Sequence, residues 1–299
     1  MATAKKDRHS LTASATRIRR LCQLGSSYTR KGEYGKAEAS LKQAISDATV
    51  HFGRCDWLTY IALNNYAVLC KYLGRFKRAD QIYQQTLQRL TATKEPRLHE
   101  LATLHHNMGG LEHARNRPDL GEPLARKSVQ IWRSLLGPGD PAVAEDEAAL
   151  GAILDARHKH FAARRLYFRA LKIFRAHPAG HRYDFAITLN NLGASYHATG
   201  DLNRGERYYE QALKIKKKLF GSRHVDVALT MNNLGILCQA RRDWQRAEEL
   251  LHAALAIFRA SLPMRHPKLT ACRRNYVRLL AERKQSSCPR ATLPKLPLT

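Results

Sequence analysis

The chain has 299 residues, 44% of them hydrophobic, and no apolar run in it reaches the length of a membrane span. With 51 Lys+Arg against 25 Asp+Glu, the formal net charge is +26, a field that favours acidic peptides, nucleic acid or anionic lipid and says nothing about fold. The six cysteines form no CxxC pair, which argues against a redox motif and fits a reducing, cytoplasmic setting.

In chain order, residues 1–14 are basic, contain Ser and Thr, and lack an apolar h-region, so no secretory signal is expected. They read as a solvated tail, with a mitochondrial presequence as the alternative. From residue 15 to 284 a pattern recurs every 42 residues. The units fall near 15–56, 57–98, 99–140, 141–182, 183–224 and 225–266, and a last helix over 267–284 begins a seventh unit and stops, as a cap does. One column holds Gly25, Ala67, Gly109, Gly151, Gly193 and Gly235; another holds Gln23, Asn65, Asn107, Ala149, Asn191, Asn233 and Asn275. A fixed period of this size predicts a stacked repeat array in place of a single compact core.

Each unit divides into two helices. In the fifth, Ile187, Leu189, Leu192 and Tyr196 share a helix face and Gly200 ends the stretch. The second helix, Leu202 to Leu219, turns Tyr209, Ala212, Leu213 and Leu219 inward and Lys214, Lys216, Lys217 and Lys218 outward. The break column is Gly32, Gly74, Asn116, His158, Gly200 and Arg242, which predicts a left-handed residue after each first helix and strain, or another turn, at His158 and Arg242. Small residues at Ala37, Ala79, Gly121, Ala163, Gly205 and Ala247 mark close approach of the paired helices. Pro289, Pro294 and Pro297 predict a flexible tail over 285–299, in which Pro294-Lys295-Leu296-Pro297 matches PxxP by chance.

The run Asn190-Asn191-Leu192-Gly193 … Tyr196 … Gly200 … Gly205-Glu206 … Tyr209 … Ala212-Leu213 … Gly221 … His224 resembles the 42-residue tetratricopeptide repeat (TPR) of kinesin light chains. The resemblance implies an all-α fold: a right-handed α-α superhelical solenoid of about six helix hairpins plus a C-terminal capping helix. Units three and four depart from the pattern, with Pro118, Pro123 and Glu112 in one and Ala149 and His158 in the other, and are expected to be irregular.

No catalytic constellation is present, so a non-enzymatic role without cofactor or metal is expected. His99-Glu100 lacks the second His of a zincin, and there is no GxSxG or phosphate loop. His177 and His181, flanking Pro178 and Gly180, read as surface residues and not as ligands. The resemblance implies that the first helices line a concave groove, where Asn65, Asn107, Asn191 and Asn233, with Asn64, Asn190 and Asn232 beside them, bond the backbone of an extended peptide; the competing reading is that these amides tie neighbouring helices together. Lys71, His113, His197, Arg274 and Arg278 would make the groove basic, opposed locally by Glu145 and Asp155, and Val68 and Ile236 would supply apolar pockets. The function expected is an adaptor holding an extended acidic segment of another protein. The alternatives are a sequence-blind nucleic-acid or anionic-surface binder acting through a convex Lys/Arg face, and a regulatory module of an enzyme on another chain.

Overall fold

The computed structural model of the chain describes residues 2–54, 56–92 and 97–287, with side chains from 11 to 286. The described residues form thirteen helices and no strand: α1 (Ala2–Lys31), α2 (Tyr34–Phe52), α3 (Trp57–Tyr72), α4 (Phe76–Thr91), α5 (Leu98–Ala114), α6 (Pro118–Leu136), α7 (Pro141–Ala156), α8 (His160–Ala176), α9 (Arg182–Ala198), α10 (Leu202–Phe220), α11 (Val225–Ala240), α12 (Trp244–Ser261) and α13 (Pro267–Ser287). They pair as six hairpins, α1 with α2 through α11 with α12, and α13 packs on α12 and α11. The stretch 1–14, expected as a tail, is helical from Ala2; it contains no Gly or Pro to stop α1 from extending backwards. The Pro-containing segment from 288 onward, including the PxxP match and Cys288, lies outside the described residues, as does Cys55.

Each hairpin closes on a small residue. A Cβ added at Gly151 would stand 2.6 Å from the ring of Tyr167, and one at Gly193 would stand 2.9 Å from Tyr209, so the second-helix aromatic seats against bare backbone of the first. In the third unit that aromatic is Ala125, and the two helices approach backbone to backbone: a Cβ on Gly121 would lie 3.0 Å from the carbonyl oxygen of Gly109. Regular helix persists there despite the prolines. Pro118 occupies the first turn, where its missing N–H has no partner to lose, and the carbonyl that Pro123 leaves free is in that same exposed first turn.

The break column behaves alike in all six units. Gly32, Gly74, Asn116, His158, Gly200 and Arg242 all take positive φ, between 59° and 81°. The residue that follows each one donates its N–H five residues back, as in Glu33 to Tyr28, Lys159 to Leu154 and Asp243 to Cys238. His158 and Arg242 therefore accept left-handed strain and do not adopt a different turn, because the Schellman bonds hold them there.

The solenoid returns upon itself. His224 Nε2 donates to the carbonyl of Arg30 at the end of α1, while His224 Nδ1 accepts the N–H of Asp226 at the start of α11. The same device recurs one unit on: His266 Nε2 donates to Tyr72 O at 2.6 Å and His266 Nδ1 accepts from Lys268 N at 3.1 Å. Both contacts join residues 194 apart, so the first two units meet the sixth and the cap after one superhelical turn. Tyr34 packs into the core cluster of Val225, Leu269 and Cys272 at the same junction.

Two outcomes follow from these turns and clasps. Arg242→Gly relieves left-handed strain at an exposed site and raises stability by about 0.5–1 kcal/mol in denaturant unfolding, whereas Arg242→Ala gives no gain. Burial, partly offset by the Tyr72 carbonyl and reinforced by Lys268, holds His266 below the ordinary imidazole value. The unfolded chain therefore binds its proton first, so the stability this group contributes is complete above the ordinary imidazole pKa and fades as pH falls through the lower folded value. Melting temperature followed from pH 8 to 5 should drop more steeply in the native chain than in His266→Ala, which itself loses about 1 kcal/mol at pH 8 through the missing cap.

Candidate functional site

The first helices of the hairpins, α1, α3, α5, α7, α9 and α11, line the inside of the superhelical turn. Their asparagines do two different things. Asn107 Nδ2 donates to Asn64 Oδ1 at 2.9 Å, Asn233 to Asn190 at 3.3 Å and Asn275 to Asn232 at 3.0 Å. Each bond spans 43 residues, from the second amide of one unit to the first amide of the unit before it. Asn64, Asn107, Asn190 and Asn232 are buried, 6–9% exposed, and fix the angle between neighbouring hairpins.

Asn65 and Asn191 are different. The residues that would pair with them, 43 positions back, are Cys22 and Ala148, which have no amide. Both remain half-buried and face cavities: Asn65 lines one of about 700 Å³, Asn191 one of about 180 Å³. Asn233 is half-buried too, but its amide is engaged with Asn190 and Asn232. The third unit has His106 in place of the first amide, and its Nδ1 sits 2.6 Å from Asp146 Oδ1. Burial works against the charged imidazole, but Asp146 outweighs it and keeps His106 above its ordinary value.

The larger cavity lies across the turn. Ser26, Thr29, Asn65, Val68 and Tyr72 come from the first two units, and Glu145, His181, Tyr183, Asp184 and Phe220 from the fourth and fifth. Beside it stands Lys71. Protein surrounds its ammonium, though the side chain keeps some accessible area within the channel, and no hydrogen bond or ion pair engages it. Burial, with Lys268 adding its charge, pushes Lys71 down to about 8. Its Nζ rests against α5, 3.3 Å from the place a Cβ on Gly110 would occupy. His113, one repeat further on, is half-buried with an unbonded Nδ1; burial and the neighbouring Lys71 hold it below the ordinary value.

The remaining expected groove residues are scattered. His197 is half-buried and depressed by burial. Arg274 and Arg278 are exposed on α13, where Arg278 comes within 3.9 Å of Glu282, and no contact joins them to Lys71. Ile236 packs into a core cluster with Leu237 and Leu251. Asp155 does not oppose the groove: it takes bonds from His160, Tyr167 and Ser195 and locks α7 to α8 and α9. Glu145 does face the cavity, and burial together with the charge of Asp184 pushes it up to about 7.

The outer acids are largely committed. Helix-B acids pair with an arginine at the end of the next first helix, 35 residues on: Asp80 with Arg115 at 2.9 Å, and likewise Glu122 with Arg157, Glu206 with Arg241 and Glu248 with Arg283. In the fourth unit both members change together, and Arg164 Nη1 donates to Thr199 Oγ1 at 3.0 Å. Arg169 on α8 clasps buried Glu147. Lys216 was expected outward and is instead 2% exposed, with Nζ donating to Thr230 Oγ1 at 3.0 Å; Ala212 one turn before it and Tyr209 two turns before it share its inner face. Lys214, Lys217 and Lys218 are exposed as expected.

Comparison with known proteins agrees with this architecture. Tetratricopeptide repeat models match residues 100–176 and 184–260, and a second model of the same description matches 18–46. The chain belongs to the tetratricopeptide repeat family. Repeats of this family are protein-interaction scaffolds. A comparison with curated proteins gives no match. Among solved structures, a Rap protein complexed with Competence and Sporulation Factor superposes with a TM-score of 0.60 at 12% identity, over 91% of this chain and 90% of that one. BtubC (BKLC) from P. vanneervenii gives 0.53 at 22% identity, over 80% and 92%. A chain of nearly identical kinesin light chain TPR-like repeats from Podosopora anserina gives 0.48 at 19% identity, over 66% and 93%. At these identities the likeness is one of fold. Among the described residues no helix is long and apolar enough to cross a membrane.

The 43-residue pairing separates paired from unpaired amides in a way that stability measurements resolve. Asn107→Ala strands the buried Asn64 oxygen and costs about 1–3 kcal/mol; Asn191→Ala, with no such partner, costs less than about 0.5 kcal/mol. Equal losses in chemical unfolding would contradict the assignment.

Proposed function

We propose that this TPR chain is a non-enzymatic adaptor that holds an extended, acidic segment of another protein inside its superhelical turn. The observation that carries the reading is Lys71, an ammonium surrounded by protein with no anion of its own, next to the unbonded Nδ1 of His113. A half-buried cation left unpaired loses part of its hydration without compensation, and a guest carboxylate offsets that loss with a charge-assisted bond. Asn65 and Asn191 supply the unassigned amides for the guest backbone, and Val68 and Tyr72 flank them with apolar surface. The described cysteines Cys22, Cys70, Cys238 and Cys272 are free thiols buried in the core, which supports a reducing, cytoplasmic setting for the adaptor.

The outer lysines Lys214, Lys217 and Lys218 favour the second reading, a sequence-blind contact with nucleic acid or an anionic surface. One titration separates the two. A labelled Asp/Glu-rich peptide should lose about tenfold or more in affinity on Lys71→Met and again on combined Asn65→Ala and Asn191→Ala, as expected for charged and neutral hydrogen bonds respectively. Peptide affinity indifferent to both changes, alongside RNA binding that falls steeply with salt and ignores Lys71, would move the function to the outer face.

A further inference from the structure

Glu145, His181 and Asp184 form a compact donor set on the inner wall. Gly180, at φ +86°, turns the chain before α9 so that His181 stands at its start and Asp184 in its first turn. Glu145 reaches the same place from the first half of α7. One ligand atom from each residue lies within 4.8 Å of the others, and among the described residues this is the one trio that does so. His181 Nδ1 is 3.3 Å from Glu145 Oε1 and 3.6 Å from Asp184 Oδ2. Those separations are close to the roughly 3 Å edge between neighbouring ligands of an ion bound at about 2.1 Å.

Three further observations point to a ligand there. The Nδ1 atom is buried and has no hydrogen-bond partner in good geometry, although a carboxylate oxygen of each acid lies within 3.6 Å of it. Phe174 stacks on the imidazole with centroids 5.8 Å apart and planes 16° from parallel, which fixes the ring. In a chain where most partly buried acids have an arginine or lysine, Glu145 and Asp184 have only this histidine within ion-pair distance.

We propose that Glu145, His181 and Asp184 bind a first-row divalent cation, Mn²⁺ or Zn²⁺. One imidazole with two carboxylates suits those ions, whereas Ca²⁺ and Mg²⁺ prefer oxygen ligands alone. The cavities of about 700 and 180 Å³ both border Glu145 and Asp184, so the open coordination positions face the channel. The ion cancels the two negative charges that work against an acidic guest. That consequence rests on the adaptor reading; the site itself does not.

The test uses the full chain and the metal alone. After treatment with EDTA, Mn²⁺ is titrated by the loss of its free EPR signal and Zn²⁺ by calorimetry, with Co²⁺ absorption reporting inner-sphere nitrogen and oxygen ligands. The expected result is one ion per chain, weakened about tenfold or more by His181→Asn and by the near-isosteric Asp184→Asn, and unchanged by His99→Asn at an exposed histidine. Circular dichroism in EDTA confirms that the variants fold. No uptake at millimolar metal, or equal uptake by Asp184→Asn and the native chain, overturns the site. Peptide binding measured in EDTA fails or survives independently of this result.

Discussion

Two neutral imidazoles set the shape on which the channel depends. His224 and His266 each accept a hydrogen bond at the start of one helix and donate one to the end of another, so each carries its proton on Nε2. A solenoid normally restrains only adjacent units, and its pitch is the accumulated tilt of many hairpins. Here the first turn is tied to the second at two points with the same 194-residue offset. The inner faces of the early and late units thereby line one open cavity.

Between neighbouring hairpins two further ladders act. The buried amide pairs at an offset of 43 residues are costly to leave unmade, since a lone amide there has no water to turn to. The acid–arginine pairs of Asp80, Glu206 and Glu248 at an offset of 35 are more exposed and each contributes little, on the order of 0–1 kcal/mol, whereas Glu122 is buried between Arg126, Arg157 and Lys159; together they set the angle on the outer side. The joint change to Arg164 and Thr199 keeps that ladder intact with a neutral acceptor. These pairs occupy most of the acids on the outer side, and the positive excess of the chain is left over, with Lys71 set apart from it by lying among the first helices.

The local architecture was legible because it depends on near neighbours. A period of 42 placed the hairpins, the six left-handed residues and the small-residue contacts, down to strain at His158 and Arg242. Lys216 was legible and misread: seven residues after Tyr209 and four after Ala212, its position belongs to the buried face, and the sign of its charge obscured that. The division of the asparagines was present as an offset of one, since the column repeats at 42 but the bonds run at 43, and Cys22 and Ala148 mark the two amides without partners. The 194-residue clasps were not legible, because no local pattern encodes superhelical pitch. His181 looked like a turn residue beside Pro178 and Gly180; only the stack on Phe174 and the approach of Glu145 from another unit give it a role.

The inner wall carries its two signs on adjacent helices. Lys71 and His106 stand on α3 and α5, and Glu145 and Asp184 on α7 and α9, with His106 close enough to Glu145 to oppose its rise. For the acidic segment of the proposed adaptor, this arrangement would give attraction at one end of the cavity and repulsion at the other, and so a direction as well as a place. Neutralising the Glu145–Asp184 pair by a cation removes the repulsive end and extends the attractive surface across the turn. In the adaptor we propose, the sign of the inner wall would then match that of the whole molecule, and the long-range field of a chain at +26 would steer an acidic segment toward it.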